Sequence, residues 1–278
     1  MNPSRAQSVA DADRDVRQYL IRIAATLGEV LGDALVGLYV HGSLATGSYH
    51  RERSDIDLVA VVSRKLAPIE RERAARGLVR LSDSRPVWGD IEVSVIQERY
   101  ARNFEHPMPY EVHYSTALHE RIRRRDVDFS RDETSVDLAA NIVELRERGV
   151  TLVGPPPDSL FGPVPWHAYV NALESDFEWA SPRLHEQPVY AVLSACRVLH
   201  GVQTPGIQSL NKDEAATWAL QNVPEAHHSI INDALQIYRG SKSTDDVVFH
   251  STDVEAFREY VRLRAQAAFR RAGDTSED

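Results

Sequence analysis

The run Leu38-Tyr-Val-His-Gly-Ser43, followed by Ser54-Asp-Ile-Asp-Leu-Val-Ala-Val-Val62, decides how this chain folds. It predicts a strand over Ala34–Val40, a break at Gly42-Ser43, an excursion, and a second strand over Ser54–Val62. Side chains alternate between faces along a strand, so Asp55 and Asp57 share one face while Ile56 and Leu58 point into a core. Two carboxylates at the head of a buried strand repel each other and are costly to desolvate. A divalent cation would compensate them, and Mg²⁺ is usually bound by one or two carboxylates together with substrate phosphates. Gly42 and Ser43 add backbone N–H groups and a hydroxyl of the kind that receives a phosphate.

Working outward, Asp11–Leu31 has helical apolar spacing at Val16, Leu20, Ile23, Leu27 and Leu31, and residues 1–8 read as loose. Arg64–Leu81 reads as a crossover helix with Ile69, Ala74, Leu78 and Leu81 inward. Trp88–Ile96 alternates as a third strand, with Ile91, Val93 and Val95 on one face and Glu92 and Ser94 on the other. Tyr110–Arg124 fits either an irregular strand or a helix, after a turn marked by Pro107 and Pro109. His106, His113 and His119 match no closed zinc spacing and read as ordinary polar residues. The basic run Arg121, Arg123, Arg124 and Arg125 reads as a solvated face. Thr134–Arg148 reads as a helix capped by Thr134 or Ser135 and ended by Gly149.

Leu152–Pro165 contains five prolines and two glycines, which argues against regular helix or sheet and marks a domain boundary. Beyond it the pattern is helical over Trp166–Trp179, Pro188–His200, Lys212–Gln221, Ala226–Tyr238 and Asp253–Arg271, a bundle with short connections. The expected breaks include Gly201–Gly206, and the tail from Gly273 reads as disordered. The fold class is therefore α+β, with a domain of strands and helices at residues 1–156, for which the resemblance described below implies a mixed sheet, and an all-α domain at 157–278.

The formal net charge of −9 argues against a nucleic-acid polymer as main partner and suits a small cationic one. A single cysteine, Cys196, excludes an intrachain disulfide. No apolar run reaches the ~18 residues of a membrane span, and Met1–Asp13 carries no apolar signal core. These features set the expectation of a cytoplasmic protein without a membrane partner, and a monomer is expected.

Gly-Ser followed by Ser-Asp-x-Asp resembles the nucleotidyltransferase superfamily with the DNA polymerase β type fold. That resemblance implies a third carboxylate from a neighbouring strand, for which Glu92 is the candidate. The C-terminal half sharpens it. Leu152-Val-Gly-Pro, Leu160-Phe, Pro163-Val-Pro, Lys212-Asp-x-Ala-Ala-x-Trp218-Ala and Ala234-x-Gln-x-Tyr238-x-Gly240 resemble the aminoglycoside (3″)(9)-adenylyltransferases over about Leu31–Phe269. The resemblance implies a Mg²⁺-dependent enzyme that transfers AMP from ATP to a hydroxyl of streptomycin or spectinomycin and releases pyrophosphate, with the nucleotide clamped between the domains.

It further implies residue roles. Asp55, Asp57 and Glu92 would bind two Mg²⁺ ions, and Glu92 would be the catalytic base. Gly42, Ser43, Ser54, Arg197, Lys212 and Tyr238 would contact the nucleotide, and Trp179 and Glu186 the acceptor. The chain departs from the family where an acidic residue should follow Trp179, and Ala117 lies near a position the family fills with tryptophan. Those departures keep two further readings open: the same chemistry on another small molecule or a protein hydroxyl, or a nucleotide-binding sensor without catalysis. The three carboxylates Asp55, Asp57 and Glu92 argue against the last.

Overall fold

The structure, a computed structural model, describes residues 6–183 and 186–274. The first helix, α1 (Arg14–Leu31), buries Val16, Leu20, Ile23, Leu27 and Leu31, the stripe its spacing predicts. Then follow β1 (Leu35–His41), the one-turn α2 (Gly42–Thr46), β2 (Ile56–Val62), α3 (Pro68–Asp83), β3 (Ile91–Gln97) and α4 (Glu98–Arg102). Next come β4 (Met108–Tyr110), β5 (Val112–Tyr114), α5 (Thr116–Arg123), β6 (Glu133–Ser135), α6 (Leu138–Arg148), β7 (Val150–Val153) and α7 (Pro157–Leu160). The rest is helical: α8 (Trp166–Ala180), α9 (Pro188–Gln203), α10 (Lys212–Asn222), α11 (His228–Tyr238) and α12 (Ser251–Asp274).

The described residues form two compact units. One runs to Ser135 and includes Glu144–Pro163; the other comprises Val136–Val143 and the chain from Val164 onward. The first contains a five-stranded mixed sheet in the order β5-β3-β2-β1-β7, with only β2 and β3 parallel. A crossover through α3 makes that parallel pair possible. β2 is buried on both faces, which explains its near-continuous run of apolar residues. α1 and α3 cover the face carrying Leu38, Val40, Ile56, Leu58, Val93 and Val95. On the other face the Phe161 ring meets Tyr39 edge-on at 5.1 Å, and the Tyr39 hydroxyl donates to Pro155 O at 2.9 Å. The proline-rich segment thus stays with this unit as far as Pro163.

In the helical unit α9 packs against α8, α10, α11 and α12. It buries Ala191, Val192, Leu193, Ala195, Cys196, Val198 and Leu199, so it is apolar nearly all round, as a central helix must be.

Several local expectations are corrected. Thr134 and Ser135 do not cap α6; they lie in β6, paired with Met108 and Pro109. The stretch from Leu152 is not wholly irregular, because β7 runs to Val153 along β1 and Pro157 starts the single turn of α7. Proline suits that position because its missing N–H has no helical partner there. Ile69 is 53 % exposed, because five residues at about 100° each put it roughly 140° round α3 from Ala74, on the outer face. α9 continues through Gly201, whose missing side chain leaves room for Leu173. Gln7 is paired with Tyr49 by backbone bonds of 2.8 and 3.2 Å, so the chain is tied down before residue 8. Asp274 still belongs to α12, while residues 1–5 and 275–278, the remainder of the two terminal expectations, lie outside the described residues.

A buried ion pair closes the end of the sheet opposite Asp57. Arg71 and Glu111 are each 3 % exposed, with Nε donating to Oε2 at 2.8 Å. Glu111 also accepts from Gln97 Nε2 at 2.6 Å and from the Leu66 N–H at 2.9 Å. Arg71 donates to Arg131 O at 2.8 Å and Asp132 Oδ1 at 3.0 Å, which fastens the loop after α5. Arg71→Met strands the Glu111 charge and should destabilise the protein by about 3–5 kcal/mol in urea titration, while pairing it with Glu111→Leu should restore most of the loss. Equal stability of wild type and the single variant would show that the pair anchors nothing.

Candidate active site

The site forms where β1, β2 and β3 end or begin together. β1 and β2 place His41 opposite Asp57, and β2 and β3 place Asp57 beside Glu92. Paired residues on neighbouring strands project from the same face, so His41, Asp57 and Glu92 form one row across three strands. The chain then turns sharply at Gly42, whose φ of 66° lies in the left-handed region. A Cβ at Gly42 would collide with the Asp57 carboxylate, its carboxyl carbon lying 2.8 Å away. Glycine is therefore required twice over, by its backbone angle and by the carboxylate packed against it. Ser43 follows in the first turn of α2, and Gly47, with φ 78°, ends that helix.

Asp55 stands just before β2 and is exposed. Its Oδ1 accepts the Asp90 N–H at 2.8 Å, while the Ile56 N–H donates to Asp90 O at 2.9 Å. This exchange starts the β2–β3 pairing. Asp90 is itself fixed: it accepts the Ser82 hydroxyl at 2.6 Å and the Thr116 hydroxyl at 3.0 Å. Ser54 is buried, and its hydroxyl oxygen accepts the His50 N–H at 3.0 Å, so in this structure it closes the 50–54 turn.

Burial and neighbouring charge both act on Asp57. Burial, opposed by His41 and reinforced by Glu92, Asp55 and Glu144, pushes its carboxyl up to about 7. Burial first, and then the neighbouring carboxylates, disfavour the charged form of Asp57, and a bound cation would relieve both. The oxygen donor set, two in-register carboxylates with a third at the strand head, fits Mg²⁺, which completes its shell with water and phosphate oxygens. Among the described residues no three His, Cys, Asp or Glu side chains are arranged to bind a metal ion by themselves.

In the helical unit the remaining candidates gather around Asp176 of α8. Arg197 donates to Asp176 Oδ2 at 2.6 Å, and the Tyr190 hydroxyl donates to Oδ1 at 2.6 Å. The Lys212 ammonium lies 4.1 Å from the centre of the Tyr190 ring. Lys212 opens α10 behind an Asn211 cap that exchanges hydrogen bonds of 2.9 Å with Glu214. Asp213, the next residue, receives both arms of Arg239 at 2.6 Å, which brings the start of α10 to the end of α11, where Tyr238 sits half-buried. Trp179 is 46 % exposed, meets the Tyr190 ring edge-on at 5.3 Å and carries the Arg183 guanidinium 4.0 Å from its centre. Glu186 is exposed, with its N–H on Arg183 O at 3.1 Å; Leu184 and His185 before it lie outside the described residues. Ala117 is exposed on α5, next to the Thr116 that anchors Asp90.

Sequence reading passed over His41, Glu144, Tyr190 and Asp176. His41 directly precedes the Gly-Ser turn and Asp176 falls on the apolar face of its helix, and both were legible as signals of that kind. Glu144 and Tyr190 had no local signature; only tertiary packing brings Glu144 within electrostatic reach of Asp57.

Comparison with known proteins follows the same division. Residues 21–107 match the family model for the nucleotidyltransferase domain, and residues 159–264 match that for the aminoglycoside adenylyltransferase C-terminal domain. An aminoglycoside (3″)(9) adenylyltransferase of Klebsiella pneumoniae is 27 % identical over 263 residues, covering 87 % of this chain and 95 % of its own. A spectinomycin 9-adenylyltransferase of Staphylococcus aureus is 26 % identical over 219 residues, covering 76 % and 81 % respectively. A spectinomycin adenyltransferase from Enterococcus faecialis, solved with ATP and spectinomycin, shares the fold with a TM-score of 0.75 at 20 % identity, covering 90 % of this chain and 99 % of that one.

Because Asp57 holds its proton more tightly folded than unfolded, its contribution to stability is greatest below pH 4 and is lost as pH rises to about 7. In chelator, Asp57→Asn should therefore match wild type near pH 4 and exceed it by about 1–3 kcal/mol at pH 8 in urea titration. A difference that does not vary with pH would remove the crowded-carboxylate account.

Proposed function

We propose that this chain, a two-domain nucleotidyltransferase carrying the aminoglycoside adenylyltransferase C-terminal domain, transfers AMP from ATP to a hydroxyl of a cationic aminoglycoside or aminocyclitol. The reading is carried by the in-register pair Asp57–Glu92 beside the Gly42–Ser43 turn. In this reading Asp55, Asp57 and Glu92 bind Mg²⁺ together with the nucleotide phosphates, and pyrophosphate leaves. The bound metal supplies charge neutralisation at the α-phosphate and the leaving group. Ser43 and the backbone after Gly42 receive a phosphate, and Ser54 orders the loop that leads into Asp55. Glu92 accepts the proton of the acceptor hydroxyl as its oxygen attacks the α-phosphate. Arg197 and Lys212 bind the triphosphate charge, and Tyr238 packs on the nucleotide.

Trp179 and Glu186 are assigned to the acceptor. The net charge of −9 favours a polycationic one. A second reading, the same transfer onto a different small molecule or a protein hydroxyl, is favoured by two observations. Position 117 is alanine, and Arg183 already lies over the Trp179 ring, where its like charge would repel a cationic drug. None of the described helices is long and apolar enough to cross a membrane.

Pyrophosphate release with ATP and Mg²⁺, measured against streptomycin, spectinomycin and other aminoglycosides, tests both readings. Release with one of them is expected. Silence across the panel, with ATP binding intact, would transfer support to the second reading. Glu92→Gln should lower kcat by about 10²–10⁴-fold. Full turnover by that variant would remove Glu92 from the chemistry.

A further inference from the structure

Asp176 is out of place on the pattern of its own helix. α8 buries Ala172, Leu173, Phe177 and Ala180 around it, and the Asp176 side chain is 19 % exposed. A carboxylate so placed is tolerated only when it is paired. Both partners come from α9, at positions 190 and 197. That spacing is close to two helical turns, so one face of α9 presents both groups to one carboxylate. Each of its oxygens is used, Oδ1 by the Tyr190 hydroxyl and Oδ2 by Arg197, both at 2.6 Å.

Tyr190 then passes the constraint on. With its hydroxyl fixed, the ring can present one face to the Lys212 ammonium at 4.1 Å and meets Trp179 edge-on at 5.3 Å. Cation–π attraction fixes where an ammonium sits without consuming its charge. Burial raises the Asp176 carboxyl, but Arg197, the Tyr190 hydroxyl and Lys212 outweigh it and keep it below the ordinary carboxylate range. Burial and Asp176 together push the Tyr190 hydroxyl up, so it remains a donor at neutral pH. Side chains ordered in advance lose less entropy when a ligand arrives.

We propose that Asp176 and Tyr190 are positioning residues of the nucleotide site: Asp176 orients Arg197 directly and seats Lys212 through Tyr190, so that both cations are set for a triphosphate. The inference rests on the assignment of Arg197 and Lys212 to the nucleotide in the preceding subsection. Asp176 and Tyr190 touch neither substrate nor reacting atoms in this account.

Calorimetric titration of the full chain with ATP and with AMP separates the possibilities, because AMP lacks the phosphates these cations would bind. Asp176→Asn should weaken ATP binding by about fivefold or more and leave AMP binding within about twofold. Tyr190→Phe, which keeps the ring and loses only the hydroxyl, should weaken ATP by about two- to fivefold. Asp176→Glu should recover part of the loss, and Tyr190→Phe carries the test if Asp176→Asn does not fold. Unchanged or tighter ATP binding by Asp176→Asn would show that the carboxylate merely neutralises the cations. Equal losses for ATP and AMP would reduce it to general support of the fold; either result overturns the proposal. Arg197→Ala in the same titration tests the premise: unchanged ATP affinity there would remove the nucleotide assignment itself.

Discussion

Two carboxylates placed side by side on parallel neighbours, Asp57 on β2 and Glu92 on β3, impose the constraint around which the first unit is arranged. They repel, and His41 on β1 shares their row. The fold accommodates them by geometry. Gly42 removes the side chain that would collide with the Asp57 carboxylate, and Asp90, fixed by Ser82 and Thr116, offers its N–H to Asp55. Strand pairing at this edge thus begins with Asp55 accepting the Asp90 N–H, while Ser82 and Thr116 fix Asp90 from the other side. The charge concentrated in these carboxylates is the feature that a cation would satisfy.

The rigidity for this comes from the opposite end of the sheet. Arg71, Glu111 and Gln97 form a buried hydrogen-bonded cluster that ties the crossover after β2, the end of β3 and the loop after α5 together. A paired charge in such a place adds little net stability compared with apolar packing, but removing one member is expensive. Its value is that β2 and β3 cannot slip against each other. A one-residue slip would put Glu92 on the opposite face from Asp57.

The helical unit solves a different problem, how to order long cationic side chains. Asp176 fixes Arg197, Tyr190 supports Lys212, and the Asp213–Arg239 pair joins the start of α10 to the end of α11. Each device uses a short hydrogen bond or an aromatic face on a side chain that is half-buried or nearly so. In the same unit the Arg183 guanidinium lies over the Trp179 ring, a further cation held by an aromatic face.

By itself the sequence determined the strands around Gly42-Ser43 and Asp55-Ile-Asp57, the alternation that puts Glu92 on a polar face, and the helices of the C-terminal half. These are properties of local periodicity and turn chemistry, which neighbouring residues carry without help. It misplaced Ile69 and the Thr134–Ser135 cap because helix register and strand pairing are decided by partners distant in the chain. That β6 exists at all depends on β4 lying alongside it. Tertiary structure alone decided that His41 joins the carboxylate row, that Glu144 reaches Asp57 electrostatically, and that Asp176 meets Tyr190 and Arg197. Such contacts join residues on different elements, and their energies depend on burial and distance, quantities that no run of neighbouring residues contains.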